Sequence, residues 1–143
     1  MQLKSPKIVG FLDLGTNSVR LLVVKLNPNG SYIIITQQKE VIRLGEGEYL
    51  ENRLTDIAMM RATTVIVRLI ELARSRGAEE FIAVATSAAR EASNGEELCS
   101  RIEELTGVRI NIISGTEEAR LIWLGVSSGI DLKGETALFI DIG

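Results

Sequence analysis

Hydrophobic positions in this chain run first at strand spacing and then alternate between helical stripes and short apolar runs. Lys7 to Leu14 and Val19 to Leu26 read as two strands, the first apolar almost throughout, as expected of a strand covered on both faces. Between them, Gly15-Thr16-Asn17-Ser18 is a polar turn. Asn27-Pro28-Asn29-Gly30 marks a second turn before a third strand, Ser31 to Leu44. Three strands joined by tight turns predict an antiparallel meander, with the first strand central. Gln37, Gln38, Lys39 and Glu40 suit an edge. The stretch Arg43-Leu44-Gly45-Glu46-Gly47-Glu48 is too rich in glycine for either regular structure.

Beyond that loop the period becomes helical. Ala62, Val65, Ile66, Leu69, Leu72 and Ala73 define a buried stripe on a helix from about Thr55 to Arg76, closed by Gly77. Phe81 to Ala85 is a short buried strand ending at Thr86 and Ser87, and a helical turn or two from Ser87 to Ala92 carries Arg90. Asn94 followed by Glu97 predicts a capping-box start to a helix reaching Thr106, with Leu98, Ile102 and Leu105 on its apolar face and Gly107 as its stop. Val108 to Ile113 is another buried strand. Ser114-Gly115-Thr116-Glu117 then matches S-x-x-E at the head of a further helix. At 100° per residue Glu118 falls among Leu121, Ile122 and Gly125, whereas Glu117 and Arg120 share the polar sector. The rest of that wheel is apolar, so the helix is expected to be covered on several sides, partly by protein outside this chain, with Trp123 as a core or interdomain aromatic. Ser127 to Glu135 reads as a linker. Ala137 to Gly143 reads as a strand that stops where a loop ought to begin, as though the chain were cut there.

The resulting order, β-β-β-α-β-α-β-α-β, places right-handed α/β crossovers after an antiparallel meander. The expected fold class is therefore α/β: a ribonuclease-H-like, actin-like domain whose mixed sheet has three antiparallel strands followed by parallel ones, with helices on both faces. Ligands of such sheets bind beyond the carboxyl ends of the parallel strands. Asp13, Thr86, Ser114 and Asp141 stand at strand ends, and Arg90 and Glu118 begin just past them.

Composition narrows the chemistry. Sixteen Lys and Arg against nineteen Asp and Glu leave a net charge of −3, so no global basic field points to nucleic acid and any anion site must be local. The absence of histidine removes the commonest general base and zinc ligand. Cys99, the one cysteine, rules out an internal disulfide and reads as a small core hydrophobe. No apolar run approaches the roughly 18 residues that span a bilayer, and the first residues do not resemble a signal peptide; a cytoplasmic protein is expected.

The turn at residues 15–18 holds the most chemistry. Gly15 and Asn17 tolerate positive φ, so successive N–H groups can face outward as an anion nest, with Thr16, Asn17 and Ser18 adding short polar side chains. Such a tip suits a phosphate, and Asp13 beside it could hold a metal ion or a water. An ordinary hairpin turn is the plain alternative. Glu118 is either a first-turn acid favoured by the helix dipole or a carboxylate aimed into a cleft. Arg90 is either a solvated charge or a phosphate ligand. Arg20 and Arg43 equally admit a solvent-facing position.

The blocks Asp13-Leu14-Gly15-Thr16-Asn17-Ser18, Arg43 to Gly47, Ala85-Thr86-Ser87-Ala88-Ala89-Arg90, Ile112 to Ile122 and Asp141-Ile142-Gly143 resemble the exopolyphosphatase and guanosine pentaphosphate phosphohydrolase family, within the actin, sugar kinase and heat-shock ATPase superfamily. The S-G-x-E-E-A-R-L-I block in this order is specific, whereas D-x-G-T alone occurs in many sugar kinases. The resemblance implies Asp13 and Asp141 as aspartates positioning a divalent metal such as Mg²⁺, and Gly15, Thr16, Asn17 and Ser18 as the first phosphate loop. It implies Arg90, with Ser114, as anion-binding, and Glu118 as the carboxylate that orients the attacking water. The family reaction releases the terminal phosphate of inorganic polyphosphate or the 5′-γ-phosphate of guanosine pentaphosphate, and phosphoryl transfer of this kind needs no protein nucleophile. Family members continue past Asp-Ile-Gly into a second domain that closes the cleft. The chain is accordingly expected to comprise a first domain, residues 1–126, and a linker with the first strand of a truncated second domain, residues 127–143, and to be inactive alone.

Two other functions fit parts of the sequence. Half of an ATP-dependent sugar or acid kinase would share the first phosphate loop, although the Ser-Gly-Thr-Glu-Glu block argues against it. A non-catalytic module would bind anions or form a homodimer through an exposed apolar face of the last helix.

Overall fold

The computed structural model describes residues 4–46, 52–130, 136–138 and 140. Strands β1 (Lys7–Leu14), β2 (Ser18–Leu26) and β3 (Tyr32–Val41) form the antiparallel meander, and β4 (Glu80–Ala85) and β5 (Ile110–Ile112) join in parallel. The sheet order is β3-β2-β1-β4-β5, which puts apolar β1 at the centre and polar β3 at an edge, as expected. Helices α1 (Asp56–Ser75), α2 (Ser87–Glu91), α3 (Gly95–Thr106) and α4 (Gly115–Gly129) complete the described elements. The predicted strand from Ala137 to Gly143 lies largely outside the described residues, and Ala137, Leu138 and Ile140 are not in a strand.

Side-chain alternation separates the two faces of the sheet. Leu12, Leu14, Val19, Leu21, Val23, Ala83 and Ala85 are buried in one core with Ile66, Leu69 and Ile70 of α1 and Leu98 and Ile102 of α3. Asp13, Arg20 and Val84 alternate to the other face, where they share a cleft with Leu121 and Ile122 of α4. Helices thus lie on both faces. The first is a sealed core, whereas α4 has no buried residue and leaves Trp123 52% exposed. Among the described residues no helix is long and apolar enough to cross a membrane.

The helix ends follow local chemistry. Thr55 caps α1 by accepting the Ala58 N–H at 3.1 Å, worth about 1 kcal/mol. Gly107 ends α3 in the left-handed conformation, φ 70°. The α1 stripe is wider than predicted: Met59, Thr63 and Ile70 are buried, while Val65 and Leu72 are only partly so. On α3, Leu105 proves 62% exposed, and Cys99 and Thr106 take the inner positions. The thiol of Cys99 is pushed up to about 11, chiefly by burial and secondarily by Glu96, in keeping with an inert core residue. β5 is three residues rather than six, and α4 runs on through Ser127, Ser128 and Gly129, which were expected in a linker.

Asn94 does not build the predicted capping box. Its side chain makes no cap bond to α3. Instead its Oδ1 accepts the Leu54 N–H at 2.8 Å, and its Nδ2 donates to the Leu54 carbonyl at 3.0 Å. A buried amide therefore satisfies both backbone groups of a buried residue, pinning the segment before α1 to the start of α3. Asn94→Ala would strand both groups, and we expect a loss of about 2–4 kcal/mol. Thermal melting reads this as roughly 3–5 °C per kcal/mol; a shift below about 2 °C would show that the pin is dispensable.

β3 ends at Val41, three residues before the predicted Leu44, because the chain folds over the β1–β2 turn. The N–H groups of Ile42 and Arg43 both donate to the Asn17 carbonyl, at 2.9 and 3.0 Å, and the Gly45 N–H donates to the Thr16 carbonyl at 3.2 Å. Arg43 adopts φ 48° to make this turn. Ile42 and Leu44 are driven fully into the core beneath it.

Candidate functional site

The carboxyl ends of β1 and β4 and the start of α4 enclose an open cleft of about 760 Å³. Asp13, Gly15, Thr16, Asn17 and Ser18 line it from the β1–β2 hairpin, Val84, Thr86 and Ser87 from the end of β4, and Glu118, Leu121 and Ile122 from α4. Of the residues predicted from sequence, Asp13, the whole 15–18 turn and Glu118 are brought together here. Asp141 lies outside the described residues.

The turn is tied on both sides. Gly15 N–H donates to the Ser18 carbonyl at 3.0 Å and closes the hairpin tip. The Thr16 and Ser87 hydroxyls meet at 2.7 Å, joining the turn to the β4–α2 junction. Thr86 N–H donates to the Leu14 carbonyl at 3.0 Å, which extends the parallel pairing of β1 with β4 up to the cleft floor.

Glu118 reaches the cleft because Ser114 starts α4 there. The Ser114 side chain accepts the Glu117 N–H at 3.2 Å, and its carbonyl accepts the Glu118 N–H at 2.9 Å. The reciprocal half of the predicted capping box is replaced by a surface ion pair: both Glu117 carboxylate oxygens accept from Arg120 at 2.7 Å, and that pairing lowers the Glu117 pKa. The Ser114 hydroxyl is thus committed to the helix and is not among the cleft-lining groups.

Arg90 stands behind the wall rather than in it. Its Nη1 donates to the Ile113 carbonyl at 3.0 Å and to Glu118 Oε2 at 3.1 Å, holding the half-buried carboxylate at the cleft edge. Asp13 faces the cleft opening, yet enough protein surrounds its carboxyl that desolvation raises its pKa. Arg20 pulls that value down, and the charge of Glu118 pushes it up.

Two cleft residues escape the sequence reading, and Arg20, left open between solvent and site by its strand position, lines the cleft while staying exposed. Strand register places Asp13 opposite Arg20 and Arg20 opposite Lys39, so one row across the sheet carries an acid and two cations into the cleft. Lys39 looks like an ordinary edge residue until the hairpin registers are known. Ser87 follows a strand end without any motif of its own, and only its contact with Thr16 marks it. Arg43 is exposed and does not line the cleft.

Among the described residues no three His, Cys, Asp or Glu side chains gather as a metal cage. Mg²⁺ does not require one, since it commonly takes one or two carboxylates together with substrate phosphates and waters. Asp13, facing the cleft across from Glu118, could supply one such carboxylate.

The sheet order and helix placement give a mixed α/β domain with the actin-like fold. The chain belongs to the Ppx/GppA phosphatase family, whose model matches residues 23–143. It is 33% identical over 135 residues to exopolyphosphatase 1 of Mycobacterium leprae, covering 94% of this chain and 40% of that protein. The crystal structure of an exopolyphosphatase from Cytophaga hutchinsonii superposes with a TM-score of 0.81 at 30% identity, over 85% of this chain and 39% of that one. The Aquifex aeolicus Ppx/GppA family member gives a TM-score of 0.79 at 28% identity, over 85% and 40%. The chain spans about two fifths of the length of the curated relatives it matches.

Proposed function

We propose that this cleft is the N-terminal half of a phosphoanhydride hydrolase site, in a protein that releases the terminal phosphate of inorganic polyphosphate or guanosine pentaphosphate. The observation that carries the reading is the convergence of Asp13, the 15–18 turn and Glu118 on one cleft at the carboxyl ends of parallel strands. A phosphate seated on the turn meets backbone N–H groups and the Thr16, Asn17 and Ser18 side chains. Glu118, oriented by Arg90, positions a water for attack on the terminal phosphorus. The new P–O bond forms as the bridging P–O bond breaks, the electron pair leaves with the shortened chain, and the water's proton is accepted at the carboxylate or passed to solvent. Catalysis of this kind rests on positioning and charge, which a site without histidine or a protein nucleophile supplies.

Asp13 and Asp141 would hold Mg²⁺, whose contribution is neutralisation of phosphate charge. The first actin-like domain, expected as residues 1–126, runs in this reading to the end of α4 at Gly129, and the residues beyond lead into a second that closes the cleft. The exposed Leu121, Trp123 and Leu124 on α4 support further protein against that helix. In the full-length protein we expect Asp13→Asn to weaken the Mg²⁺ dependence of phosphate release, with the half-saturating concentration rising about tenfold or more for the loss of one charged ligand. An unchanged metal titration would remove Asp13 from the metal site.

A further inference from the structure

We propose that Arg61, on α1 and outside the cleft, is a positioning residue that sets the direction of the phosphate turn's N–H groups. In a trans peptide the C=O of one residue and the N–H of the next point in opposite directions. The Thr16 carbonyl is held by the Gly45 N–H, and the Asn17 carbonyl by the N–H groups of Ile42 and Arg43. Those bonds turn the N–H groups of Asn17 and Ser18 away from the 42–45 loop. The N–H groups of Thr16 and Asn17 make no hydrogen bond to the described residues. The loop therefore aims the nest.

The loop itself is held from α1. Arg61 Nε donates to the Ile42 carbonyl, and its Nη2 donates to the Arg43 carbonyl at 3.0 Å and to Glu46 Oε2 at 3.1 Å. One planar guanidinium grips consecutive carbonyls on either side of the left-handed Arg43 backbone and the acid that follows. With Asn17 and Ile42 facing each other just past the last paired residues, Ser18 and Val41, the Ile42 carbonyl would be free to capture the Asn17 N–H as one more rung of the ladder. Arg61 prevents this by fixing the loop, since its fork keeps the Gly45 N–H on the Thr16 carbonyl and so keeps the Asn17 N–H pointing outward. Its removal frees the loop, so that the Thr16–Asn17 peptide can turn, the ladder can extend by one pair, and the Asn17 N–H is drawn out of the nest. The neighbouring Arg68 pairs, among the described residues, with Glu40 on the surface and serves as the control.

This proposal rests on the phosphate-turn reading for its consequence but not for its mechanism, and the experiment separates the two. Amide hydrogen exchange and calorimetric binding of tripolyphosphate with Mg²⁺ are measured on the full-length protein as wild type, Arg61→Gln and Arg68→Gln. Arg61→Gln is expected to speed exchange at Ile42, Arg43 and Gly45 about tenfold and to weaken tripolyphosphate binding about tenfold, with Arg68→Gln unchanged in both. Arg61→Lys, which keeps the charge but not the fork, should recover less than half of either loss. If the wild type does not bind tripolyphosphate, the phosphate-turn reading fails, while faster exchange at the three amides still supports the hold of Arg61 on the loop. Unchanged exchange at those amides overturns the proposal, as does unchanged binding when the wild type binds. Should Arg61→Gln fail to fold, Arg61→Lys is read by the same two criteria.

Discussion

Glu118→Gln in the full-length protein is expected to lower phosphate release from polyphosphate by about 10²- to 10⁴-fold, with substrate affinity changed less than about threefold. Glutamine keeps the size of the side chain and an oxygen that can accept from Arg90 Nη1, so the cleft wall stays in place. What is lost is a negative charge and a base facing the attacking water. The effect should therefore fall on turnover rather than on binding. Steady-state phosphate release with a separate binding measurement distinguishes the two. Wild-type-like turnover would take Glu118 out of the mechanism and leave it as a helix N-terminal acid tied to Arg90. A large loss of affinity instead would recast it as part of the binding surface.

A large loss of stability is expected from one added methyl group. A Cβ on Gly95 would sit 1.8 Å from the carbonyl oxygen of Ala89 and 2.8 Å from its carbonyl carbon. Both are backbone atoms, so no flexible side chain can yield. Alanine normally stabilises a helix by about 1 kcal/mol over glycine. Here that gain is outweighed, because α2 and α3 must move apart by more than an ångström. We expect Gly95→Ala to cost about 3 kcal/mol net, a melting point lower by roughly 10 °C. Arg90 follows Ala89 in α2, so the same displacement should loosen the Arg90–Glu118 pair and depress activity in whatever fraction remains folded. A melting point within about 2 °C of the wild type would mean that α2 slides freely on α3.

Much of the framework was legible because it is local. β1 and β2 are apolar strands around a four-residue turn, and α1 has a stop glycine and a Thr cap, so their bounds fall within a residue or so of those read from pattern. The end of β3 was not, since the apolar and polar alternation continues through Ile42 and Leu44 while the chain is diverted by bonds to Asn17 and Thr16, far back in sequence. Asn94 misled for the same reason: its spacing to Glu97 promises a cap, but Leu54 offers it two bonds. Asp13, the turn and Glu118 could be placed from sequence because strand ends and a capping serine fix them. Lys39 depends on two strand registers, and Arg61 looks like any charge on the outer side of a helix. Residues that act through another element leave no signature in spacing.

The most direct test is phosphate release from polyphosphate and guanosine pentaphosphate with Mg²⁺, by the full-length protein, by this chain alone, and by this chain with the remaining sequence added in trans. The account predicts release by the full-length protein, none by the chain alone, and recovery on complementation. No release by the full-length protein, together with phosphorylation of a sugar or acid acceptor from ATP, would contradict it and make the cleft half of a kinase site.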